Sequence, residues 1–352
     1  MTTDHTGDRG LHVDTDQAIA VLHGGPSSEH DISVITARGV LRSLRQAGHR
    51  AIAVWVDRAG AWHFGGDSAD AGTPVASPVA VPAALARLVD EQLRCAFLAF
   101  HGTFGEDGRV QGALDLAGIP YTGSGVTATA LAMDKPLTRR VLASAGISVP
   151  EAVELPSAGL DQPTLRARAA DHLIATLGLP VVVKVPEGGS SLGIEIPRDR
   201  VQLLATLDRL HQLADALLCE RFVAGVELTA AVLARMDGSL EALPIVEIAP
   251  RGERFFDYEA KYDPSLTDEI VPARIAAAAE AQCRKIGLAA HHVLGCRGIS
   301  RTDLILDSDG KVWALETNTL PGLTPESLLP KAAAAAQCDY QQLLERIISA
   351  SI

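Results

Sequence analysis

The chain has 352 residues, of which 47% are hydrophobic and 21% are charged, and its formal net charge is -12. This length predicts two or three domains, and the composition excludes disordered, collagen-like and fibrous proteins. The negative charge argues against general binding to nucleic acid or to an anionic membrane, so a bound phosphate group would need a specific site.

The cysteines and the first residues indicate a cytoplasmic protein. The five cysteines lie far apart and form no C-x-x-C pair, which is typical of free thiols in a reducing cytosol. Residues 1–17 carry acidic side chains and no apolar core, so we predict a flexible tail rather than a signal or transit peptide. No apolar run approaches the ~20 residues of a membrane helix, which predicts a soluble protein without a membrane partner.

The first third of the chain predicts an α/β layer. From Ala18, the run AIAVL predicts a strand, HGGPSSEHD a glycine-rich loop and ISVITARGVLRSLRQAG a helix. AIAVWVD and CAFLAF predict two more buried strands, the second of which leads into HGTFGEDG. Because open α/β sheets bind ligands outside the carboxyl ends of their strands, both glycine-rich loops are candidate binding loops.

The rest of the chain predicts mixed α and β structure after a boundary near residue 123. We predict one helix over ATALAMDKPLTRRVLASAG, a hairpin in LPVVVKVPEGGSSLGIEI and a helix over RVQLLATLDRLHQLADA. The last third predicts strands that include VELTAAVLA, LPIVEIA and the two arms of DLILDSDGKVWALE. Two alanine-rich helices and a terminal helix from Tyr340 complete the prediction.

Two glycine-rich stretches invite a nucleotide interpretation. GSGVTA (123–128) has the letters of the dinucleotide fingerprint, but no acid follows ~20 residues later, so we predict a plain helix start and keep a nicotinamide enzyme as the alternative. In KVPEGGSSLGI, Lys184 closes a strand, and glycines at 188, 189 and 193 let backbone N–H groups surround an anion. The alternative for this second stretch is a flexible hairpin tip.

The segment RTDLILDSDGKVWALETN (301–318) predicts a hairpin with two facing carboxylates. If residues 309–310, Asp-Gly, form a two-residue type I′ turn, Asp303 pairs with Glu316. Because alternate residues of a strand share a face, the polar face comprises Arg301, Asp303, Glu316 and Asn318. The opposite face, which we predict to be core, comprises Leu304, Leu306, Trp313 and Leu315.

Facing carboxylates repel each other unless a cation lies between them. Asp303, Glu316 and the amide of Asn318 are hard oxygen donors, which suit Mg²⁺ or Mn²⁺. In the alternative, a one-residue change in the turn moves Glu316 to the other face and leaves Asp303 in a surface ion pair with Arg301.

These motifs resemble those of the D-alanine–D-alanine ligases of the ATP-grasp superfamily, from about Ala18 to the C terminus. The resemblance rests on GGPSSEHDIS, HGTFGEDGRVQGALDLAGIPYTGSG, AMDK, VVVK, GGSSLG, DYEAKY, SRTDLIL and LETNTLPGLTPESLLPK, in that order. It implies an α/β fold of three domains: 18–123 with the first D-alanine site, 124–222 as the central ATP-grasp domain, and 223–352 as the C-terminal ATP-grasp and metal-binding domain. ATP would be gripped between the last two.

The resemblance also implies the site residues. The ATP contacts would be Lys135, Lys184, Gly189, Ser190, Ser191, Glu220, Arg221, Val223, Glu227 and Lys261. The ligands of two Mg²⁺ or Mn²⁺ ions would be Asp303, Glu316 and Asn318. The residues for the two D-alanines and for catalysis would be Glu29, His101, Ser190, Tyr262, Arg301, Gly322, Ser327 and Leu328.

The implied reaction has two steps. The carboxylate of the first D-alanine, whose ammonium Glu29 receives, attacks the γ-phosphate of ATP to give an acyl phosphate, and the amine of the second D-alanine then displaces phosphate. Arg301 and the backbone N–H of Gly322 would meet the developing oxyanions. Ser190 and Tyr262 would close a loop that excludes water.

The resemblance leaves the acceptor and the assembly open. Val185 and Glu326 depart from the usual pattern, and Glu326 lies beside Ser327 and Leu328, which resemble the acceptor pocket. The alternatives are a D-alanine–D-serine or other specialised amino-acid ligase and a non-catalytic ATP-binding sensor. Family habit implies a homodimer in a bacterial cytoplasm that serves peptidoglycan synthesis.

Overall fold

The computed structural model describes residues 17–65, 70–72, 77–186, 193–250 and 267–351. Its strands are β1 (Ile19–Gly24), β2 (Ala51–Val56), β3 (Trp62–Phe64), β4 (Cys95–Leu98), β5 (Ala152–Pro156), β6 (Val181–Lys184), β7 (Ile194–Glu195), β8 (Ala216–Arg221), β9 (Val226–Ala234), β10 (Leu240–Ala242), β11 (Val246–Pro250), β12 (Thr267–Ile270), β13 (Ile299–Leu306) and β14 (Val312–Asn318). The predicted flexible tail lies outside the described residues, apart from Gln17.

The helices that connect these strands are α1 (His30–Gln46), α2 (Val81–Asp90), α3 (Arg109–Ala117), α4 (Val126–Met133), α5 (Lys135–Ser144), α6 (Pro163–Leu177), α7 (Arg200–Leu210), α8 (Ala277–Val293), α9 (Leu328–Ala335) and α10 (Tyr340–Ser349). Among the described residues, no helix combines the length and the apolar content needed to cross a membrane.

The first sheet has the strand order β3-β2-β1-β4, and β1 pairs in parallel with both β2 and β4. Alternate residues of β1 enter different cores: Val21 packs with Leu41 of α1, and Leu22 packs with Leu88 of α2 and Leu114 of α3. Coverage on both faces explains why the predicted strands contain unbroken apolar runs. The carboxyl ends of β1 and β4 lead directly into the two glycine-rich loops.

The second sheet, β5-β8-β6-β7, is antiparallel and packs against α6 and α7 through Leu173, Leu203 and Leu207. The predicted hairpin is confirmed, because Lys184 of β6 pairs with Ile194 of β7. Its tip, residues 187–192, lies outside the described residues.

The third sheet has six strands in the order β12-β11-β9-β13-β14, with β10 also paired to β9. Helix α8 packs closely on this sheet at Gly287, where a Cβ atom would lie 2.9 Å from the Cβ of Ala230. Leu142 of α5 and Leu304 of β13 share the core beneath the sheet. The opposite face of β13 and β14 is therefore the one that is free to carry polar groups.

The single helix predicted before Gly146 is wrong, because the chain forms two helices, α4 and α5. Asp134 between them is extended, with a ψ of 95°, and its carboxylate accepts a hydrogen bond from the N–H of Leu137 at 2.8 Å. Pro136 has no N–H and fits the first turn of a helix better than its interior. The break places Lys135 at the start of α5.

The last helix packs against α1 and β9 and shares a core with the first sheet. Leu343 and Ile347 of α10 lie in the same core as Val21 of β1 and Leu41 of α1. A carboxylate of α10, that of Glu345, also contacts the imidazole of His49, just after α1. The first and third sheets are therefore joined by one continuous core.

His291 makes the stability of the fold sensitive to acid. Its ring lies between α8 and β13, with Nδ1 2.7 Å from the hydroxyl of Ser300, and burial lowers the pKa of His291 to about 4. The unfolded chain, with a pKa near 6.5, binds this proton more readily, so stability is lost as the pH falls from about 6.5 toward 4. The loss between pH 7 and pH 5 is expected to be about 2 kcal/mol for this group.

Urea unfolding at pH 7 and pH 5 tests this expectation. His291→Asn should lose about 2 kcal/mol less than the unsubstituted chain over this interval. The exposed His172 offers a matched control, because His172→Asn should leave the pH dependence unchanged. An equal pH dependence in His291→Asn and in the unsubstituted chain would contradict the assignment.

Candidate active site

A cleft of about 430 Å³ lies between the second and third sheets. Polar groups from both sheets line it: Lys184, Glu220, Arg221, Glu227, Arg301, Asp303 and Glu316. Apolar groups among its lining residues include Val182, Phe222, Val223, Ile248, Ile305, Leu315 and Leu328. A cleft lined by both apolar and charged groups can hold a ligand that has an aromatic part and an anionic part.

The predicted pairing of Asp303 with Glu316 is confirmed, but the predicted type I′ turn at 309–310 is wrong. Asp307 and Lys311 close the turn instead, through the N–H of Asp307 and the carbonyl of Lys311 at 3.0 Å. The register next to the turn is therefore one residue different from the prediction. A β-bulge between positions 303 and 304 of β13, which leaves Leu315 without a partner in the register, restores the predicted pairing.

The bulge changes which side chains face the core. Leu304 is buried and Leu306 packs at the edge of the same core, as predicted. Trp313 and Leu315 were predicted to be core, which is wrong. The indole of Trp313 donates to Asp307 at 2.8 Å, and Leu315 lines the cleft, because the register near the turn places them on the other face.

The polar face of the hairpin extends onto β9. Pairing sets Arg301 opposite Asn318 on one side and opposite Ala231 of β9 on the other, and it sets Ile305 opposite Glu227. Along each strand the two positions differ by four residues, an even number, so Glu227 lies on the face that carries Arg301 and Asp303. The sheet thus presents one row of charged groups to the cleft.

Arg301 and Asp303 form a bidentate ion pair. The distances from Nε and Nη2 of Arg301 to the two oxygens of Asp303 are 2.7 and 2.9 Å. Arg301 is only 5% exposed. Burial alone would lower the pKa of Arg301, but Asp303, with help from Glu316, outweighs it and raises that pKa. The alternative correctly predicted an ion pair between Arg301 and Asp303, but it was wrong to place this pair on the surface.

The oxygen atoms of the hairpin fit a hard divalent cation. Asp303, Glu316 and Asn318 share one face and contribute two carboxylates and one amide, with neither histidine nor cysteine. The amide oxygen of Asn318 also accepts from the N–H of Leu320 at 2.8 Å, which fixes its orientation. Within the described part of the chain, no three or more acidic, histidine or cysteine side chains group as metal ligands, so Asn318 is needed to complete the set.

Two cations flank Glu220 on the opposite wall. Lys184 lies 2.6 Å from one carboxylate oxygen of Glu220, and Nε of Arg139 lies 3.5 Å from the other. Burial opposes the charge on Lys184, but Glu220 and Glu316 outweigh it and raise the pKa of Lys184. Burial lowers the pKa of Lys135, which also responds to Glu316 and Lys184. The charge of Glu316 therefore acts on both lysines.

The carboxyl of Glu227 has a strongly raised pKa. Burial, followed by the charge of Asp303, raises the pKa of Glu227 to about 7. By contrast, Arg221, which also lines the cleft, is half-exposed and forms an ion pair with Glu151. A buried carboxyl that is partly protonated near pH 7 can donate a hydrogen bond as well as accept one.

A second polar cluster lies at the carboxyl ends of β1 and β4. Glu29 is 6% exposed, and a Cβ atom on Gly102 would lie 2.6 Å from its Oε2. Nε2 of His101 lies 2.9 Å from the hydroxyl of Thr36, and Nδ1 lies 3.6 Å from Glu106. The two glycine-rich loops are thus in contact, with Glu29 on one and His101 on the other.

Glu106 connects this cluster with the cleft. Burial raises the pKa of Glu106, and the charge of Glu29 adds to this while His101 opposes it. Glu106 in turn acts on the pKa values of Arg301 and Lys135. Glu106 and Arg139 were not among the site residues predicted from the sequence. The motif HGTFGEDG contained the signal for Glu106, whereas Arg139 had none.

The loop before α9 closes the far end of the cleft. A Cβ atom on Gly322 would lie 2.8 Å from the hydroxyl of Ser327, so a larger residue there would have to displace that side chain. That hydroxyl contacts Thr324 at 2.7 Å, and Leu328 lines the cleft. Glu326 points away from this pocket, with a side chain that is 84% exposed and 3.5 Å from Lys331.

Several predicted residues cannot be placed. Gly189, Ser190, Ser191, Lys261 and Tyr262 lie outside the described residues. The remaining predicted residues fall into three neighbouring groups: the cleft, the Glu29 cluster and the loop around Gly322.

Comparisons with known proteins identify the family of the chain. The family models described as D-ala D-ala ligase N-terminus and D-ala D-ala ligase C-terminus match residues 18–124 and 141–349. A D-alanine–D-alanine ligase of Desulforudis audaxviator is 40% identical over 332 residues, which cover 94% of this chain and 97% of that protein. The chain belongs to the D-alanine–D-alanine ligase family.

Solved structures of the ligase family have the same fold. The VanG D-Ala:D-Ser ligase from Enterococcus faecalis aligns with a TM-score of 0.80 and 28% identity, covering 96% of this chain and all of that one. A D-alanine–D-alanine ligase from Bacillus anthracis complexed with ATP aligns with a TM-score of 0.72 and 30% identity, covering 96% and 97%. The predicted ATP-grasp fold is therefore confirmed. The boundaries 18–123, 124–222 and 223–352 stay predictions.

Proposed function

We propose that this ligase-family enzyme joins two D-alanines to D-alanyl-D-alanine with ATP, through an acyl phosphate, and so supplies peptidoglycan synthesis. One observation carries the proposal: the cleft between the second and third sheets brings Lys184 and Glu220 of one wall opposite Arg301, Asp303 and Glu316 of the other. Family membership supplies the reaction class, and the charged groups supply what phosphoryl transfer requires.

ATP would lie along this cleft. Glu220 and Val223 line the cleft and would contact the adenine, while Glu227, which also lines it, would bind the ribose. Lys135 and Lys184 would hold the phosphate groups, because the charge of Glu316, a proposed metal ligand, acts on the pKa of both lysines. Arg221, Gly189, Ser190, Ser191 and Lys261 complete the proposed ATP set.

Asp303, Glu316 and Asn318 would hold two Mg²⁺ or Mn²⁺ ions. When bound, such ions neutralise phosphate charge and fix the orientation of the terminal phosphate. The chain contributes the orientation of the donors. Arg301 holds Asp303 by two hydrogen bonds, and the N–H of Leu320 holds the amide of Asn318.

The first D-alanine would bind between the glycine-rich loops, with its ammonium on the carboxylate of Glu29 and with His101 beside it. Arg301 would stabilise the oxyanions that develop at the reacting carboxyl, together with the N–H of Gly322. The charge of Glu29 contributes to raising the pKa of Glu106, and the charge of Glu106 contributes to raising the pKa of Arg301, so Glu106 would link the donor site to the reacting centre electrostatically. Ser190 and Tyr262 would close the site against water.

The second D-alanine would bind at the loop before α9, with its carboxylate on Ser327 and its methyl group near Leu328. Glu326 departs from the family pattern, but its exposed side chain pairs with Lys331 instead of entering this pocket. This geometry favours an acceptor with a small uncharged side chain. We further infer that the enzyme works as a homodimer in the bacterial cytoplasm.

Steady-state turnover tests the proposal. ADP release with ATP and Mg²⁺ is measured with D-alanine as donor and with D-alanine, D-serine or D-lactate as acceptor, and the products are identified by mass spectrometry. We expect D-alanyl-D-alanine as the main product. Absence of ADP release would support the non-catalytic sensor, and D-alanine as the poorest acceptor would support a specialised ligase.

A further inference from the structure

Phe104 has a backbone conformation that its side chain disfavours. Its φ is +78°, in the left-handed region that glycine adopts easily and that a bulky residue adopts only at a cost. Among the described residues, Gln92 and Gln337 are the other non-glycine residues with positive φ. Of the three, only Phe104 belongs to a glycine-rich loop of the site.

Specific contacts hold Phe104 in this conformation. Its N–H donates to the carboxylate of Asp107 at 2.7 Å, and its ring meets the ring of Phe100 edge to face, with centroids 5.6 Å apart. The ring also covers Gly25 of the facing loop, where a Cβ atom would lie 3.1 Å from the Phe104 ring. Phe104 therefore spans from its own strand end to the opposite loop.

The next residue limits the loop further. A Cβ atom on Gly105 would lie 2.1 Å from the Cβ of Phe100, so this part of the loop is pressed against the end of the first sheet. The amide of Gln111 donates to the carbonyl of Gly105 at 2.6 Å and holds the loop from the other side. Neither of these contacts of Gly105 reaches the loop that carries Glu29. The ring of Phe104 does reach that loop, at Gly25.

The two loops must keep a close separation. Gly102 approaches Glu29 so closely that a Cβ atom would lie 2.6 Å from the carboxylate. His101 and Glu106 flank Phe104 in sequence and belong to the same cluster. A shift of about 1 Å between groups that must bind one small ligand together is enough to weaken that binding strongly.

We propose that Phe104 is a positioning residue for the first D-alanine. It acts through its ring, which sets the loop of His101 and Glu106 against the loop of Glu29. The strained backbone is kept because only this conformation places the ring over Gly25. The inference rests on the proposed function for the identity of the ligand.

Two substitutions separate the ring from the backbone strain. Phe104→Ala removes the ring and keeps a Cβ atom in the left-handed conformation, whereas Phe104→Gly removes the ring and relieves the strain. Gln92→Gly, on an exposed turn away from the site, relieves the same kind of strain and is the matched control. Calorimetry measures the Kd of D-alanine with a non-hydrolysable ATP analogue present and the Kd of that analogue alone. Melting temperatures report the strain.

Both Phe104 variants are expected to bind D-alanine about tenfold more weakly, with an unchanged Kd for the ATP analogue. Phe104→Gly should melt at a higher temperature than Phe104→Ala, and Gln92→Gly should bind D-alanine normally. Wild-type affinity in Phe104→Gly, or an equal loss of ATP-analogue binding, would overturn the inference. An unsubstituted chain that binds D-alanine but forms no dipeptide contradicts the proposed function alone.

Discussion

Replacing Arg301 by glutamine is expected to lower kcat by about 100- to 1000-fold, the usual effect of removing one donor that stabilises a developing oxyanion. Arg301 is buried and is held by Asp303, so its guanidinium is already oriented before the reaction begins. The KM for ATP should change far less than kcat. Steady-state ADP release gives kcat and the KM for ATP. Rapid-quench measurement gives the rate of acyl-phosphate formation.

The substitution also breaks a buried ion pair, which generally costs about 3–5 kcal/mol in stability, so rates must be normalised to the folded fraction. Arg200→Gln is a matched control because Arg200 makes the same two-pronged contact with Asp171 on an exposed helix. Exposed pairs contribute at most about 1 kcal/mol, and this variant should keep full activity. An Arg301→Gln enzyme with more than a tenth of the normal kcat would contradict the role.

Replacing Glu316 by glutamine is expected to raise the Mg²⁺ concentration for half-maximal activity by about tenfold or more, because the donor set loses one of its two negative charges. The amide keeps the size of the side chain and an oxygen donor. Mn²⁺ binding, measured by electron paramagnetic resonance with a non-hydrolysable ATP analogue, should weaken in parallel. This readout does not depend on turnover.

Glu154→Gln provides the comparison for Glu316→Gln. Glu154 lies on β5 with a half-exposed side chain that pairs with Arg140, outside the cleft. Its neutralisation should leave Mn²⁺ binding and activity unchanged. Unaltered Mn²⁺ binding in Glu316→Gln would remove the carboxylate from the metal site.

The hairpin illustrates how far the sequence alone could lead. Residues 309–310 correctly marked a turn, and the pairing of Asp303 with Glu316 was correct. Turn length and bulge position depend on packing that no local pattern records. The longer turn shifted the register by one residue, and the unpredicted bulge shifted it back beside the carboxylates. Nearer the turn the register stayed shifted, and there Trp313 and Leu315 face away from the core.

Other parts of the site required three-dimensional information. A charge pattern gives no reason to bring Arg139 to Glu220, because they lie far apart in the chain and meet only when α5 packs near β8. The break at Asp134 was visible in the Asp-Lys-Pro sequence, but a continuous apolar pattern on both sides favoured one helix. By contrast, the strands that lead into the glycine-rich loops were predicted well, since a short apolar run followed by a glycine-rich turn is a local signal of a buried strand.

The core shared by β1, α1 and α10 has a consequence during synthesis of the chain. Val21 and Leu41 leave the ribosome long before Leu343 and Ile347, which cover them in the folded protein. The nascent first sheet and α1 therefore expose an apolar surface through most of translation, and such surfaces attract chaperones or aggregate. Slow translation of the middle of the message would prolong that exposure, whereas rapid completion of the final helix would end it.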